Sequence, residues 1–217
     1  MAKVLITGGL GFIGQHCSKA FREKGWTVTI LDMHDTQNKS DFHNLVSDGI
    51  TVTWGDIRNI DDVKKAMKGC DAVVHLAAQI SVLNSYNEPQ LTMETNVVGT
   101  KNVLECALKY SVPKLILASS AAVYGITEKI PVDEEATLNC LSPYALSKLE
   151  NEKQILSVRR DGMDAIALRF FNVYGAGQNL DMGYAAVIPT FISRMKSHKC
   201  PIVHGSGLQS RDFIHVD

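Results

Sequence analysis

The stretch Thr7-Gly8-Gly9-Leu10-Gly11-Phe12-Ile13-Gly14 decides the fold. It follows the apolar run Val4-Leu5-Ile6 and leads into an amphipathic segment that ends near Lys24, an order that reads as strand, glycine loop and helix. A loop with glycines at 8, 11 and 14 lets the backbone come close to a diphosphate. It also aims the N–H groups and positive dipole end of the following helix at the negative charge. Gly14 is expected to let that helix pack tightly on the strand. A second apolar run, Trp26 to Leu31, ends in Asp32, eighteen residues beyond Gly14. That is near the spacing at which a carboxylate accepts hydrogen bonds from the adenosine ribose of a dinucleotide. The competing reading is a structural turn rich in glycine. The strand before it, the helix after it and the acid at the next strand end weigh against that, and a dinucleotide site is expected here.

Outward from this point, apolar β-branched runs alternate with longer segments of helical period. Strands are expected at 3–7, 27–31, 50–54, 72–76, 114–119 and 164–169, and helices near 12–24, 59–68, 90–110, 143–160 and 185–196. Most of the strands are apolar throughout rather than alternating, as strands covered on both faces of a parallel sheet are. Repeated strand–helix units with right-handed crossovers give an α/β class, a Rossmann-like doubly wound parallel sheet with helices on both faces. Residues 33–49 are polar and read as a loop beside the adenosine. The helix from 143 has a clear start, because Ser142 can cap it and Pro143 suits its first position. After Arg169 the pattern changes to a glycine-rich loop and the apolar helix near 185–196, and the chain reaches Asp217 without a helix to close the fold.

The chain has 217 residues, 45% of them hydrophobic, enough for one well-buried core and part of a second. Twenty-two basic and 23 acidic residues are well mixed and leave a net charge of −1, so neither nucleic acid nor a membrane surface is an expected partner. No apolar run approaches the ~20 residues that a spanning helix needs. The opening Ala2-Lys3-Val4 runs into a strand, leaving no room for a signal peptide. Cys17, Cys70, Cys106, Cys140 and Cys200 are odd in number and scattered, which fits reduced thiols and a cytoplasmic protein. The histidines show no metal-ligand spacing. His75 reads as a hydrogen-bonded core residue, and no metal is expected.

Tyr144 and Lys148 stand four apart on the capped helix and share one face. A phenol titrates near 10, and a neighbouring ammonium favours its ionised form. Tyr144 is therefore a candidate general base toward a hydroxyl, and the acid in the reverse direction. Alone, such a pair is ordinarily an exposed helix face. Ser119 and Ser120 follow the apolar run Lys114 to Ala118, and the carboxyl ends of parallel strands are where ligands bind in such sheets. One loop could bring Ser120, 24 residues earlier, to Tyr144, so that its hydroxyl bonds the reacting oxygen. A simple strand-end cap is the alternative for this serine pair.

Five segments in this order, TGGLGFIG (7–14), SSAAVYG (119–125), YALSK (144–148), RFFNVYG (169–175) and RDFIHVD (211–217), resemble the extended short-chain dehydrogenase/reductase family. Within it the chain is most similar to the NAD-dependent nucleotide-sugar epimerases and dehydratases, above all to UDP-glucose and UDP-N-acetylglucosamine 4-epimerases. The resemblance implies an NAD-binding Rossmann domain over 1–169 and, over 170–217, the start of a substrate lobe that family members continue well beyond this point. It implies that Gly8, Gly11, Phe12, Ile13 and Gly14 hold the diphosphate, Asp32 the adenosine ribose, and Asp56 and Ile57 the adenine. Leu76, Ala77 and Ala78 would lie beneath the cofactor, with Asn96 near the active site. Ser120, Tyr144 and Lys148 match the catalytic trio, the last two also touching the cofactor. Asn172 and Arg211 match residues on the nucleotide diphosphate of the sugar, and Val187 one that lines its pocket. A homodimer packing helices 90–110 and 143–160, both read as amphipathic, is also implied.

Sugar 4,6-dehydratases of this group carry Asp-Glu after the serine, and related decarboxylases a glutamate. Here those positions are Ala121 and Ala122. What remains needs hydride transfer and one acid/base. The expected activity is that of an NAD-dependent nucleotide-sugar 4-epimerase passing through a 4-keto sugar, with a UDP-sugar as substrate. The alternatives are a sugar or alcohol reductase-dehydrogenase of the same family, which would consume external NADH, and a catalytically silent NAD-binding module. Asp32 favours NAD over NADP, because a 2′-phosphate beside a carboxylate would be repelled.

Overall fold

A computed structural model describes residues 1–33, 48–127, 129–178 and 186–217. Its order begins β1 (Lys3–Thr7), α1 (Phe12–Glu23), β2 (Thr27–Asp32), β3 (Thr51–Trp54), α2 (Ile60–Met67) and β4 (Ala72–His75). Short helices α3 (Val82–Asn87) and α4 (Pro89–Met93) follow. A π-type turn, Glu94–Val98, then leads into α5 (Gly99–Lys109). Then come β5 (Lys114–Ser120), a 3₁₀ turn (Ala121–Tyr124), α6 (Pro143–Arg160), β6 (Asp164–Phe170), β7 (Asn172–Tyr174), α7 (Val187–Lys196) and β8 (Phe213–His215). The loop expected at 33–49 and the expected helix start at 185 lie largely outside the described residues.

Six strands form one sheet in the order β3-β2-β1-β4-β5-β6. Leu5 of β1 stands opposite Thr29 of β2 and Val73 of β4, in parallel register. The chain leaves β1 toward β2 on one side and returns to β4 on the other, so the order reverses between β1 and β4. Ligands of open parallel sheets bind outside the carboxyl ends of the strands at such a reversal, here beyond Thr7 and His75.

The two faces of the sheet bury separate cores. Val4, Ile6, Val28, Ile30 and Val74 pack with Cys17 and Phe21 of α1. Leu5, Leu31, Val73, Leu115 and Leu117 pack against α2, α5 and α6 through Val63, Met67, Val103, Leu104 and Ile155. β1, β2 and β4 are apolar on consecutive residues because both faces are covered, whereas β5 and β6 alternate between buried and more exposed positions.

The helix expected near 90–110 is present as an unbroken helical stretch, α4 through α5, with a π-type turn inside it at Glu94–Val98. One expectation is corrected. The helix over 143–160 is not conventionally amphipathic: besides Ala145, Ile155 and Val158 it buries Ser147, Lys148 and Asn151. Polar side chains on the inward face defeat the apolar stripe that periodicity detects.

The chain forms two compact units, Met1–Arg169 and Phe170–Asp217. In the second, β7 and β8 pair in parallel, with Asn172 opposite Phe213 and Tyr174 opposite His215. The Tyr174 ring meets the rings of Phe213 and His215 edge-on. Among the described residues no helix is long and apolar enough to cross a membrane, and no His/Cys/Asp/Glu group is disposed to hold a metal.

Candidate active site

The glycine loop is shaped by close backbone contact. Gly8 has φ +69°, and a Cβ there would lie 2.7 Å from the Ala77 nitrogen. The loop thus rests directly on the end of β4, at Leu76 and Ala77. A Cβ on Gly14 would meet the Gly8 oxygen at 2.3 Å and the Gly9 Cα at 2.6 Å. Gly14 therefore packs α1 onto the loop rather than onto the strand expected from sequence. Gly11 is the N-cap of α1 and contributes no side-chain acceptor, so the first-turn amides of Phe12 and Ile13 face outward for an anion.

Asp32 does more than its position in sequence suggests. Its Oδ2 accepts from the Leu10 N–H at 2.8 Å, fastening the glycine loop to the end of β2, and its Oδ1 accepts from Met33 N–H. Asp56 is gripped by Arg58 through Nε at 2.8 Å and Nη2 at 2.5 Å, and that bond holds its carboxyl below the usual range. The side chain of Ile57 is turned into the core against Gly99, where a Cβ would strike it, so any contact with a base falls to its backbone.

At the end of β4, His75 is fully buried between two hydroxyls, Thr7 Oγ1 at 2.6 Å from Nδ1 and Thr100 Oγ1 at 2.9 Å from Nε2. Whichever nitrogen carries the proton, a threonine complements it. Burial, with the nearby Lys148 charge, depresses its pKa to about 3, so it is a neutral core residue, as its sequence context suggested. Asn96 sits in the π-type turn, fully buried. Its Nδ2 donates to Gln79 O and Ser147 Oγ, and its Oδ1 accepts from Gln79 N–H at 2.7 Å. Its amide fastens the segment after β4, which carries Ala77 and Ala78, to α6.

Ser120 ends β5, and its Oγ accepts from Ala122 N–H at 3.2 Å, opening the 3₁₀ turn. Ser142 caps α6 by accepting from Ala145 N–H at 3.1 Å, which sets Tyr144 and Lys148 in its first two turns. α6 packs on β5 and on the 3₁₀ turn, so Ser120 and the Tyr144/Lys148 face belong to adjoining elements. Lys148 is only 4% exposed. Its Nζ donates to Ala118 O at 2.8 Å and stands 5.8 Å from the centre of the Tyr144 ring. Desolvation lowers its pKa to about 8. The Tyr/Lys pair is thus no exposed helix face: one member is a buried cation beside the other.

In the second unit β7–β8 pairing brings Asn172 and Arg211 to one small sheet. Asn172 Nδ2 donates to Asp212 O at 2.7 Å, and Arg211 directly precedes that residue. Val187 opens α7 and is exposed. Sequence reasoning passed over Thr7, Thr100, Ser147, Glu152 and Arg169, all of them partners of these groups. Glu152 had a signal, since it stands four residues beyond Lys148 on the same helix face.

A doubly wound sheet, a glycine cradle at its reversal point and an acid at the end of β2 define a dinucleotide-binding α/β protein. The chain belongs to the NAD-dependent epimerase/dehydratase family, whose model matches residues 4–217. A Methanocaldococcus jannaschii protein, assigned UDP-glucose 4-epimerase activity by name only, is 43% identical over 98% of this chain and 69% of its own length. The UDP-N-acetylglucosamine 4-epimerase of Methanobrevibacter ruminantium, solved with UDP-N-acetylmuramic acid, superposes with a TM-score of 0.93 at 36% identity, covering 99% of this chain and 69% of that one. The UDP-glucose 4-epimerase of Thermus thermophilus, solved with NAD, gives 0.87 at 34% identity over 99% and 70%. A UDP-N-acetyl-α-D-glucosaminuronate decarboxylase and a dTDP-glucose 4,6-dehydratase also match. The chain spans about two thirds of the length of the curated relatives it matches, 69% of one and 64% of another.

Proposed function

We propose that this chain acts as an NAD-dependent nucleotide-sugar 4-epimerase on a UDP-hexose. The observation that carries the reading is the buried Lys148 ammonium beside Tyr144, next to a turn that offers only Ala121 and Ala122 after Ser120. A site with one acid/base suits removal and return of a proton at a single hydroxyl. It lacks, at that turn, the carboxyl groups that elimination of water or loss of carbon dioxide would recruit.

Gly8, Gly11, Phe12, Ile13 and Gly14 would hold the NAD diphosphate and Asp32 its adenosine ribose; the close-packed glycine cradle fits that group. Bound NAD supplies hydride uptake from C4 and hydride return to it. Tyr144 takes the C4 hydroxyl proton as the C4–H bond breaks and the carbonyl forms. Lys148 favours the phenolate by its charge and would hold the nicotinamide ribose. Ser120 bonds the reacting oxygen. After the 4-keto sugar turns over, Tyr144 returns the proton and C4 is inverted. Asn172, Arg211 and Val187 would contact the nucleotide of the sugar. Exposed Met93 and Val98 beside the π-type turn and Leu146 on α6 support a homodimer built on these helices.

The test is C4 inversion of UDP-glucose and UDP-N-acetylglucosamine followed by NMR, with calorimetric NAD binding, for the parent and Tyr144→Phe. Inversion without net NADH is expected of the parent. The variant is expected to lose at least ~10²-fold in rate, the usual share of general acid–base catalysis, and to keep its NAD affinity. Near-parent turnover by Tyr144→Phe would refute the reading. NAD binding without any sugar-nucleotide binding would leave a cofactor lobe in its place.

A further inference from the structure

We propose that Glu152 is a positioning residue: with Ser119 and Arg169 it clasps the end of β5 to α6 and fixes the direction of the Ser120 hydroxyl relative to Tyr144 and Lys148. The proposal rests on the epimerase reading of that site.

Tyr144, Lys148 and Glu152 are spaced i, i+4 and i+8, and so form one stripe along α6. Two of the three are bonded to successive residues of β5. Lys148 Nζ donates to Ala118 O at 2.8 Å, and Ser119 Oγ donates to Glu152 Oε1 at 2.5 Å. The next residue is Ser120. Consecutive side chains on a strand point to opposite faces, so pinning Ser119 to α6 sets the outward aim of Ser120.

Arg169, at the end of β6, grips Glu152 in a fork, Nε to Oε1 at 2.9 Å and Nη2 to Oε2 at 2.8 Å. Its Nη1 donates to Tyr124 OH at 2.9 Å and to Glu134 O at 3.1 Å, and its guanidinium lies 4.8 Å from the centre of the Tyr124 ring. Tyr124 closes the 3₁₀ turn that Ser120 opens. Ser120 is therefore held from the strand side through Ser119 and from the turn side through Tyr124, and both lines meet at the Glu152–Arg169 pair. The pair is largely buried, with side chains 13% and 19% exposed. Replacing such a pair by apolar residues is often neutral or stabilising, so net stability is a weak reason for its presence. Geometry is a better one, because a displacement of about 1 Å at reacting groups can cost ~10²-fold in rate.

The test compares the full chain with Ser119→Ala, Glu152→Gln and the hydroxyl-retaining Ser119→Thr, each with NAD and UDP-glucose. Ser119→Ala and Glu152→Gln are expected to lower kcat about tenfold, with KM and NAD affinity within about twofold, and Ser119→Thr to recover most of the rate. Hydrogen exchange of the amides at 119–125 should quicken in the first two variants, while that at 8–14 stays unchanged. A kcat within about twofold of the parent in both, or a loss carried by KM alone, would overturn the positioning role. Unchanged exchange at 119–125 would overturn the clasp itself. If the parent inverts no sugar, the epimerase reading falls, and the clasp stands or falls on the exchange alone.

Discussion

Replacing Lys148 by methionine should stabilise the fold while removing its activity. In the folded chain burial lowers the pKa of this lysine from 10.5 to about 8. Each pKa unit corresponds to about 1.36 kcal/mol, so keeping the ammonium charged inside the protein at pH 7 costs about 3 kcal/mol. Methionine is of similar length and carries no charge. It forfeits the bond from Nζ to Ala118 O, worth about 1–2 kcal/mol for a carbonyl left short of a donor. The variant should come out about 1–2 kcal/mol more stable at pH 7, or about 3–6 °C in Tm for a chain of this size.

The pH dependence has a definite sign. The folded pKa lies below the unfolded one, so between about pH 8 and 10.5 the unfolded chain binds the extra proton and the parent gains stability as pH rises. Below pH 8 both states are protonated and the cost is present in full. The advantage of Lys148→Met should therefore shrink or reverse by pH 10, where the remaining cost falls below about 1 kcal/mol. Urea unfolding of both proteins at pH 7 and pH 10 reads this directly, since other titrating groups cancel in the difference. A variant less stable than the parent at pH 7, or a gap that ignores pH, would show that Lys148 is not a desolvated cation, and the electrostatic account of Tyr144 would fall with it.

Gly14→Ala should weaken NAD binding at least about tenfold by calorimetry, because its Cβ would meet only backbone, at 2.3–2.8 Å, in the loop proposed to hold the diphosphate; an unchanged affinity would refute that assignment. His75, with its pKa pressed down to about 3, should keep constant ring resonances in NMR from pH 8 to pH 5. Its folded pKa is the lower one, so it adds to the loss of stability as pH falls from 6.5 toward 3, and titration above about pH 5 would refute the buried, neutral assignment.

The doubly wound sheet was legible because two independent signals coincide. Apolar runs such as Val4-Leu5-Ile6 and Ala72-Val73-Val74 are covered on both faces, and the glycine loop marks the point of reversal. The Tyr144/Lys148 pair was legible from spacing, and the Ser142-Pro143 cap fixed its phase on the helix. The π-type turn at Glu94–Val98, inside the helical stretch α4 through α5, was not legible, since it inserts one residue per turn without a glycine or proline to announce it. Nor were β7 and β8, each three residues long and mostly half-buried or exposed, which gives periodicity too little to act on.

The polar face of α6 unites these misses. The structure turns Ser147, Lys148, Asn151 and Glu152 inward. Such a face holds where its groups find partners, because an unpaired polar group in the interior costs more than its burial returns; the buried Asn151 Oδ1, with no hydrogen-bond partner among the described residues, is the exception among the four. Ser147 answers Asn96 and the Tyr144 carbonyl, Lys148 answers Ala118, and Glu152 answers Ser119 and Arg169. Apart from the Tyr144 carbonyl, on α6 itself, these partners lie toward the carboxyl ends of β5 and β6 or on the π-type turn. The apolar pattern thus fails just where the chain must hold a cation next to a phenol. That failure, with Ser120 at the adjoining strand end, separates the proposed site from a helix that merely bears a tyrosine and a lysine four residues apart.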